Sequence, residues 1–200
     1  MIKAVIFDWG GVCCSEGEPF ASVALQKALG LTPDEIAQKV LNVYLEFYRG
    51  KYTTEDFWHR IMAHFALTET EEINPAALSQ AYLNSYTLYP DMLDYARGLQ
   101  KKYRVGLLSN LTPVMRDHIR RTHPVSEVFP VEVYSCDAEV AEVKPDPKPY
   151  QIVLNRLGVP PTEAFFIDNS KNNIVAAEAL GIKSLLFQNR EQFFRDMKDF

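Results

Sequence analysis

The chain has 200 residues, of which 47% are hydrophobic, 12% aromatic and 24% charged, with a formal net charge of −5. That is enough apolar material for a packed core, built as one large domain or as a domain carrying an insertion. The acid excess argues against nucleic acid or an anionic membrane as the main partner, while leaving room for a local positive site for a small anion.

No run of about 18 apolar residues occurs, so no membrane span is expected. The segment before Asp8 holds Lys3 and no long apolar stretch, so no signal peptide is expected either. Three cysteines, two of them adjacent (Cys13 and Cys14), with no CxxC pair, suit a reducing cytoplasm better than a disulfide framework or a zinc site.

In chain order, residues 2–7 form an apolar run that reads as a strand and ends on Asp8, followed by Trp9 and two glycines, Gly10 and Gly11. From about residue 17 to 88 the pattern changes to four helical stretches with no convincing strand. One opens with TPDE, where Thr32 caps, Pro33 takes the first helical position and Glu35 completes a capping box. Its apolar residues Ile36, Val40, Val43 and Phe47 recur at helical spacing, Leu41, Leu45 and Tyr48 form a second face, and Gly50 ends it. Two apolar faces on one continuous helix predict a small bundle with its own core. TTED opens the next helix, with Phe57, Ile61 and Phe65 inward, and Asn74–Pro75 opens another.

Four more continuous apolar runs, at 104–108, 131–134, 164–167 and 183–187, read as strands buried on both faces, as in a parallel sheet. Helical stretches at 113–122, 147–157 and 171–180 alternate with them, and the C-terminal REQFFRDMKDF reads as an amphipathic helix docking on the sheet. The expected fold is therefore α/β: a Rossmann-like three-layer α/β/α parallel sheet, residues 1–16 and 89–200, with an inserted helical-bundle cap at 17–88.

Ligands of such open sheets bind beyond the carboxyl ends of the strands. Those ends carry Asp8, then Ser109 and Asn110, then Lys144 after the third strand, then Asp168 and Asn169. Taken singly, each reads more simply as a turn former, a cap or a solvated loop charge. Together, and in one order at one sheet edge, they form a set. FDWGGV, LLSN, VKPDPKPY and FFIDNSKNNIVAA resemble the four motifs of the haloacid dehalogenase (HAD) superfamily of hydrolases, and the resemblance covers the whole chain, helical cap included.

The resemblance implies that Asp8 is the nucleophile, attacking phosphorus to form an aspartyl-phosphate. It implies Mg2+ held by Asp8, the backbone carbonyl of Gly10 and the acid of the fourth motif, Asp168, with Asn169 beside it. Ser109 would donate to a phosphate oxygen, Asn110 could add a donor through side chain or backbone, and Lys144 would supply positive charge to Asp8 and the phosphoryl group.

Two positions depart from the family pattern. A second aspartate is expected where Gly10 stands, and an acidic pair where Asp168–Asn169 stands. General acid–base help is worth about 10²- to 10⁴-fold, a small part of the up to ~10²¹-fold open to phosphate monoester hydrolysis. Activity is therefore still expected. Without a proton donor at residue 10, anomeric sugar phosphates and acyl phosphates should be favoured over alkyl phosphates, and the aspartyl-phosphate should turn over slowly. Glu16 or Glu18, in the following loop, is a candidate replacement acid.

The leading expectation is a phosphatase for a small phosphorylated metabolite, resembling the sugar-phosphate phosphatase branch with Asp-x-Gly in its first motif, and acting as a monomer or homodimer. The alternatives are a catalytically degenerate binding or regulatory protein and a metal-independent dehalogenase. The aromatic stripe of FWHRIMAHF, with His59 and His64, reads as cap core or surface, and Cys13 and Cys14 as loop packing.

Overall fold

In the computed structural model, which describes residues 1–198 and 200, the helices α1–α11 and strands β1–β5 follow one another as β1 (Ala4–Phe7), α1 (Val23–Leu29), α2 (Pro33–Lys39), α3 (Leu41–Tyr48), α4 (Thr54–His64), α5 (Pro75–Leu83), α6 (Pro90–Leu99), β2 (Arg104–Ser109), α7 (Pro113–Thr122), α8 (Val125–Val128), β3 (Val131–Tyr134), α9 (Pro147–Leu157), β4 (Ala164–Asp168), α10 (Lys171–Ala179), β5 (Lys183–Leu186) and α11 (Arg190–Asp196). The five strands are all parallel, in the order β3-β2-β1-β4-β5.

Strand alternation sorts side chains to two faces. Val5 and Phe7 pack on one side with Leu107, Met115, Ile119, Phe129 and Phe193. Ala4 and Ile6 pack on the other with Leu108, Val133, Tyr150, Val153 and Phe166. This is the three-layer α/β/α arrangement expected. The C-terminal helix α11 docks on the sheet as read, its Phe193 ring 6.4 Å from that of Phe7. Helices α6 and α8 are additional to the elements expected; Met92, Leu93, Ala96 and Leu99 bury one face of α6.

A separate core forms from Phe20, Ile36, Phe47, Phe57, Trp58, Ile61 and Leu78, with the Phe47 and Phe57 rings stacked at 4.1 Å, whereas Tyr82, Leu83, Tyr86 and Leu88 pack with the sheet core. The helix expected to run from Pro33 to Gly50 is broken at Val40 (φ −114°, ψ 21°), so α1–α5 make five helices here rather than four. The break lets α3 be oriented by contacts on both of its sides. Phe47 enters the cap core, while Tyr44, Leu45 and Tyr48 line a cavity at the strand ends. The second apolar face is therefore in part a roof over that cavity rather than bundle interior, and Leu41 is 50% exposed.

The two connections to the cap run side by side. The Ser15 amide donates to the Thr87 carbonyl (2.8 Å) and the Tyr89 amide to the Cys13 carbonyl (2.9 Å). At the far side, Arg49 pairs with Glu142 (2.8 Å), and Gly50 (φ 72°) lies so close to the Cys136 carbonyl that a Cβ would meet its oxygen at 2.3 Å.

Candidate active site

Register places the polar residues. Phe7 lies level with Leu107 and Ile167 across the sheet, so Asp8 and Asp168 emerge at the same height with Ser109 beside them. After Asp8 the chain turns tightly: the Cys13 amide donates back to the Trp9 carbonyl (2.8 Å), with Gly11 at φ 75°, where an L side chain is strained.

The Asp8 carboxylate is polarised by its partners. Its Oδ1 accepts from the Trp9 amide (2.7 Å) and the Ser109 hydroxyl (2.7 Å) and pairs with the Lys144 ammonium (3.0 Å). Its Oδ2 accepts no hydrogen bond from the described residues. One oxygen is thus anchored and the other is left without a donor, in a residue that lines the cavity described below.

Lys144 is buried, with 1% of its side chain exposed, and also donates to Asp168 Oδ2 (2.6 Å) and the Leu108 carbonyl (3.0 Å). Asn110 holds its backbone at both ends: the Asn110 side-chain amide donates to the Lys144 carbonyl (3.0 Å), and the Lys144 amide donates to Asn110 Oδ1 (2.8 Å). The Asn110 side chain is therefore engaged in positioning the lysine, while the residue itself lines the cavity described below.

Asp168, expected to be the main charged cation ligand besides Asp8, is fully buried. Its oxygens accept from the Ser170 amide (2.7 Å), from Asn173 Nδ2 (3.1 and 3.0 Å) and from Lys144. That set of partners makes it the counter-ion of Lys144, because the oxygens that a cation would need are already spent. Asn173, which orients this carboxylate from the first turn of α10, was not singled out in the sequence. Its signal is the position five residues after Asp168, where a helix's first turn faces back to the strand end.

Burial raises the Asp8 carboxyl to about 7, against the lowering effect of Lys144. Burial also works to discharge Lys144, but Asp8 and Asp168 outweigh it and its ammonium is held above its ordinary value. Burial pushes the Cys13 and Cys14 thiols up, and they donate to the Asp8 and Trp9 carbonyls, so both serve packing rather than nucleophilic chemistry. Trp9 is buried and stacks on His123 at 5.9 Å.

A cavity of about 280 Å³ joins these groups. Asp8, Gly10, Ser109, Lys144, Asn169 and Asn173 form its floor, Tyr44, Leu45 and Tyr48 its roof, and Glu16 lines its side. Sequence reasoning placed Leu45 and Tyr48 on a second face for bundle packing and did not single out Tyr44. Their spacing along α3 marks a second helix face but cannot say what that face meets. Glu16 Oε1 accepts from Asn169 Nδ2 (2.6 Å), and its Oε2 lies 3.2 Å from where a Cβ on Gly10 would project. Glu18 is turned elsewhere and caps the Phe20 amide (3.0 Å). Of the two candidate replacement acids, the structure brings Glu16 and not Glu18 beside residue 10.

Oxygens that could hold a cation are Asp8 Oδ2, the Asn169 amide oxygen and the carbonyl of Gly10, all from residues that line this cavity. These are hard oxygen donors and fit Mg2+, which takes few protein ligands and keeps sites for substrate oxygens.

The model of a hydrolase family, the haloacid dehalogenase-like hydrolases, matches residues 2–181. A D-ribitol-5-phosphate phosphatase of Bacteroides thetaiotaomicron is 29% identical over 199 residues, covering 94% of this chain and 93% of that protein. A flavin mononucleotide hydrolase of Arabidopsis thaliana is 34% identical over 78% of this chain and 61% of its own length. Among solved structures, a HAD-family enzyme of B. thetaiotaomicron in complex with magnesium and inorganic phosphate superimposes with a TM-score of 0.78 at 23% identity, covering 98% of this chain and all of that one (100%).

Proposed function

The chain belongs to the haloacid dehalogenase-like hydrolases, and from that premise we propose that it is a phosphatase acting on a small, hydroxyl-rich phosphorylated metabolite through an aspartyl-phosphate formed on Asp8. The observation that carries this reading is the division of labour on Asp8. Oδ1 is anchored by three donors, and Oδ2 is left without a donor, as the attacking oxygen.

Each residue then has a role. Lys144, pinned between two carboxylates and held by Asn110, balances the charge of the nucleophile and of the phosphoryl group it meets. Ser109, already 2.7 Å from Asp8, is placed to donate to a phosphate oxygen. Asp8, the Gly10 carbonyl and Asn169 would hold Mg2+, which would supply Lewis-acid charge that lets two anions approach. Asp168 and Asn173 keep the lysine in place.

The roof sets the substrate's size and character. A cavity of about 280 Å³ admits a small metabolite, and the Tyr44 and Tyr48 hydroxyls, 3.2 Å apart, offer hydrogen bonds to a polyol or sugar. The D-ribitol-5-phosphate phosphatase among the relatives agrees with that chemistry. The only cation in the cavity lining, among the described residues, is Lys144, so no arginine is present to grip a halocarboxylate.

The test is phosphate release from ribitol 5-phosphate, a sugar-phosphate series, flavin mononucleotide and p-nitrophenyl phosphate, and halide release from a haloacid, each with Mg2+ and with chelator. Release that requires Mg2+ and is lost in Asp8→Asn supports the reading. Silence on every phosphate by a folded protein, or halide release that survives the chelator, refutes it.

A further inference from the structure

We infer that Glu16, from the loop between β1 and the cap, supplies the second carboxylate of the cation site. The inference rests on the phosphatase reading for the presence of that site, and it deepens it.

The charge count raises the need. Asp168 is saturated by Lys144, Ser170 and Asn173, so Asp8 is the one carboxylate of the assumed ligand set that remains free to meet a dication. Glu16 lines the same cavity. Its Oε1 is fixed by the Asn169 amide at 2.6 Å, which leaves Oε2 and the Asn169 Oδ1 as two oxygens on adjacent side chains, neither with a protein donor among the described residues.

The local sequence makes room for this arrangement and for little else. A Cβ on residue 10 would stand 3.2 Å from Glu16 Oε2, and one on residue 11 would stand 2.2 Å from Asn169 Nδ2 and 2.7 Å from Glu16 Oε1. A Cβ at residue 11 would displace the ends of both side chains and one at residue 10 would crowd only Glu16 Oε2, so the glycines leave room for the Glu16–Asn169 contact. The identity of residue 169 matters equally. An amide there donates to Glu16, whereas a carboxylate at 2.6 Å would repel it. Glu16 thus stands where Gly10 leaves space and where the Asn169 amide donates to it. The carboxylate that neither carries arrives from Glu16, whose oxygens reach the space that a residue-10 side chain would fill.

Ligand charge count tunes the affinity of oxygen sites for hard dications. Calorimetric titration of the full chain with Mg2+ alone is the direct measurement. Glu16→Gln keeps size and hydrogen bonding and removes the charge; it should weaken Mg2+ by ~10- to 100-fold with unchanged circular dichroism. Glu16→Gln combined with Asn169→Asp returns a carboxylate to the neighbouring position and should recover most of the loss. Affinity within about twofold of wild type in Glu16→Gln, a change of less than 0.5 kcal/mol, overturns the inference even if turnover falls. So does a double variant no better than the single one. Wild-type protein that releases no phosphate from any substrate but binds Mg2+ in a Glu16-dependent way would overturn the phosphatase reading alone.

Discussion

Replacing Lys144 by methionine tests the electrostatic design of the site with a stability measurement. Its ammonium lies 3.0 Å from Asp8 Oδ1 and 2.6 Å from Asp168 Oδ2. Methionine fills similar volume, so the lost packing is small and the lost charge dominates. Two carboxylates are left in the interior without a counter-ion, and breaking a buried pair in this way costs ~3–5 kcal/mol. Against a domain stability of ~5–15 kcal/mol this is a large fraction.

The cost should depend on pH. Burial already raises Asp8 to about 7 with the ammonium present, and without it the carboxyl rises further. A carboxyl whose folded pKa exceeds its unfolded value contributes stability that is fully present below the unfolded pKa and is lost as pH rises through the folded one. The deficit of the variant relative to wild type should therefore be modest at about pH 5 and largest at about pH 8. Urea denaturation in chelator at those two pH values measures it. A deficit under about 1 kcal/mol, the level of an exposed ion pair, or one that grows on acidification, refutes the reasoning.

Other outcomes follow from the same geometry. Ser109→Ala removes a donor from the place where phosphoryl charge develops and should lower kcat/KM by about 10²- to 10³-fold, measured on the best substrate of the panel. Phe57→Ala, which empties the ring stacked on Phe47 at 4.1 Å, should cost ~3–5 kcal/mol, read as earlier proteolysis within residues 17–88. Gly50→Ala places a Cβ 2.3 Å from the Cys136 carbonyl oxygen at a φ of 72°, so it should lift the cap edge and raise KM while Mg2+ affinity is unchanged. Tyr48→Ala opens the roof and should shift relative kcat/KM toward bulkier phosphate esters, checked against the same substrate series.

Much of this protein was legible in its sequence because parallel strands buried on both faces are continuous apolar runs that end abruptly in polar residues. The runs ending at Asp8, Ser109 and Asp168 announced the sheet, its polar edge and the order of the motifs, since chain order and strand order are tied by short crossovers. Lys144 was legible by its place after the third strand. Helix starts at Thr32, Thr53 and Asn74 were legible because caps act within a few residues.

Contacts between segments distant in sequence were decided only by the tertiary structure. Periodicity showed that α3 had two apolar faces, but only packing made one of them the roof of a cavity and broke the helix at Val40. The family resemblance implied Asp8, Gly10, Asp168 and Asn169 as cation ligands, with Asp168 the main charged one besides Asp8. Folding spent Asp168 on Lys144 and brought Glu16 across a separation of 153 residues to Asn169. A carboxylate's chemistry is set by which donors reach it, and those donors come from other strands and loops.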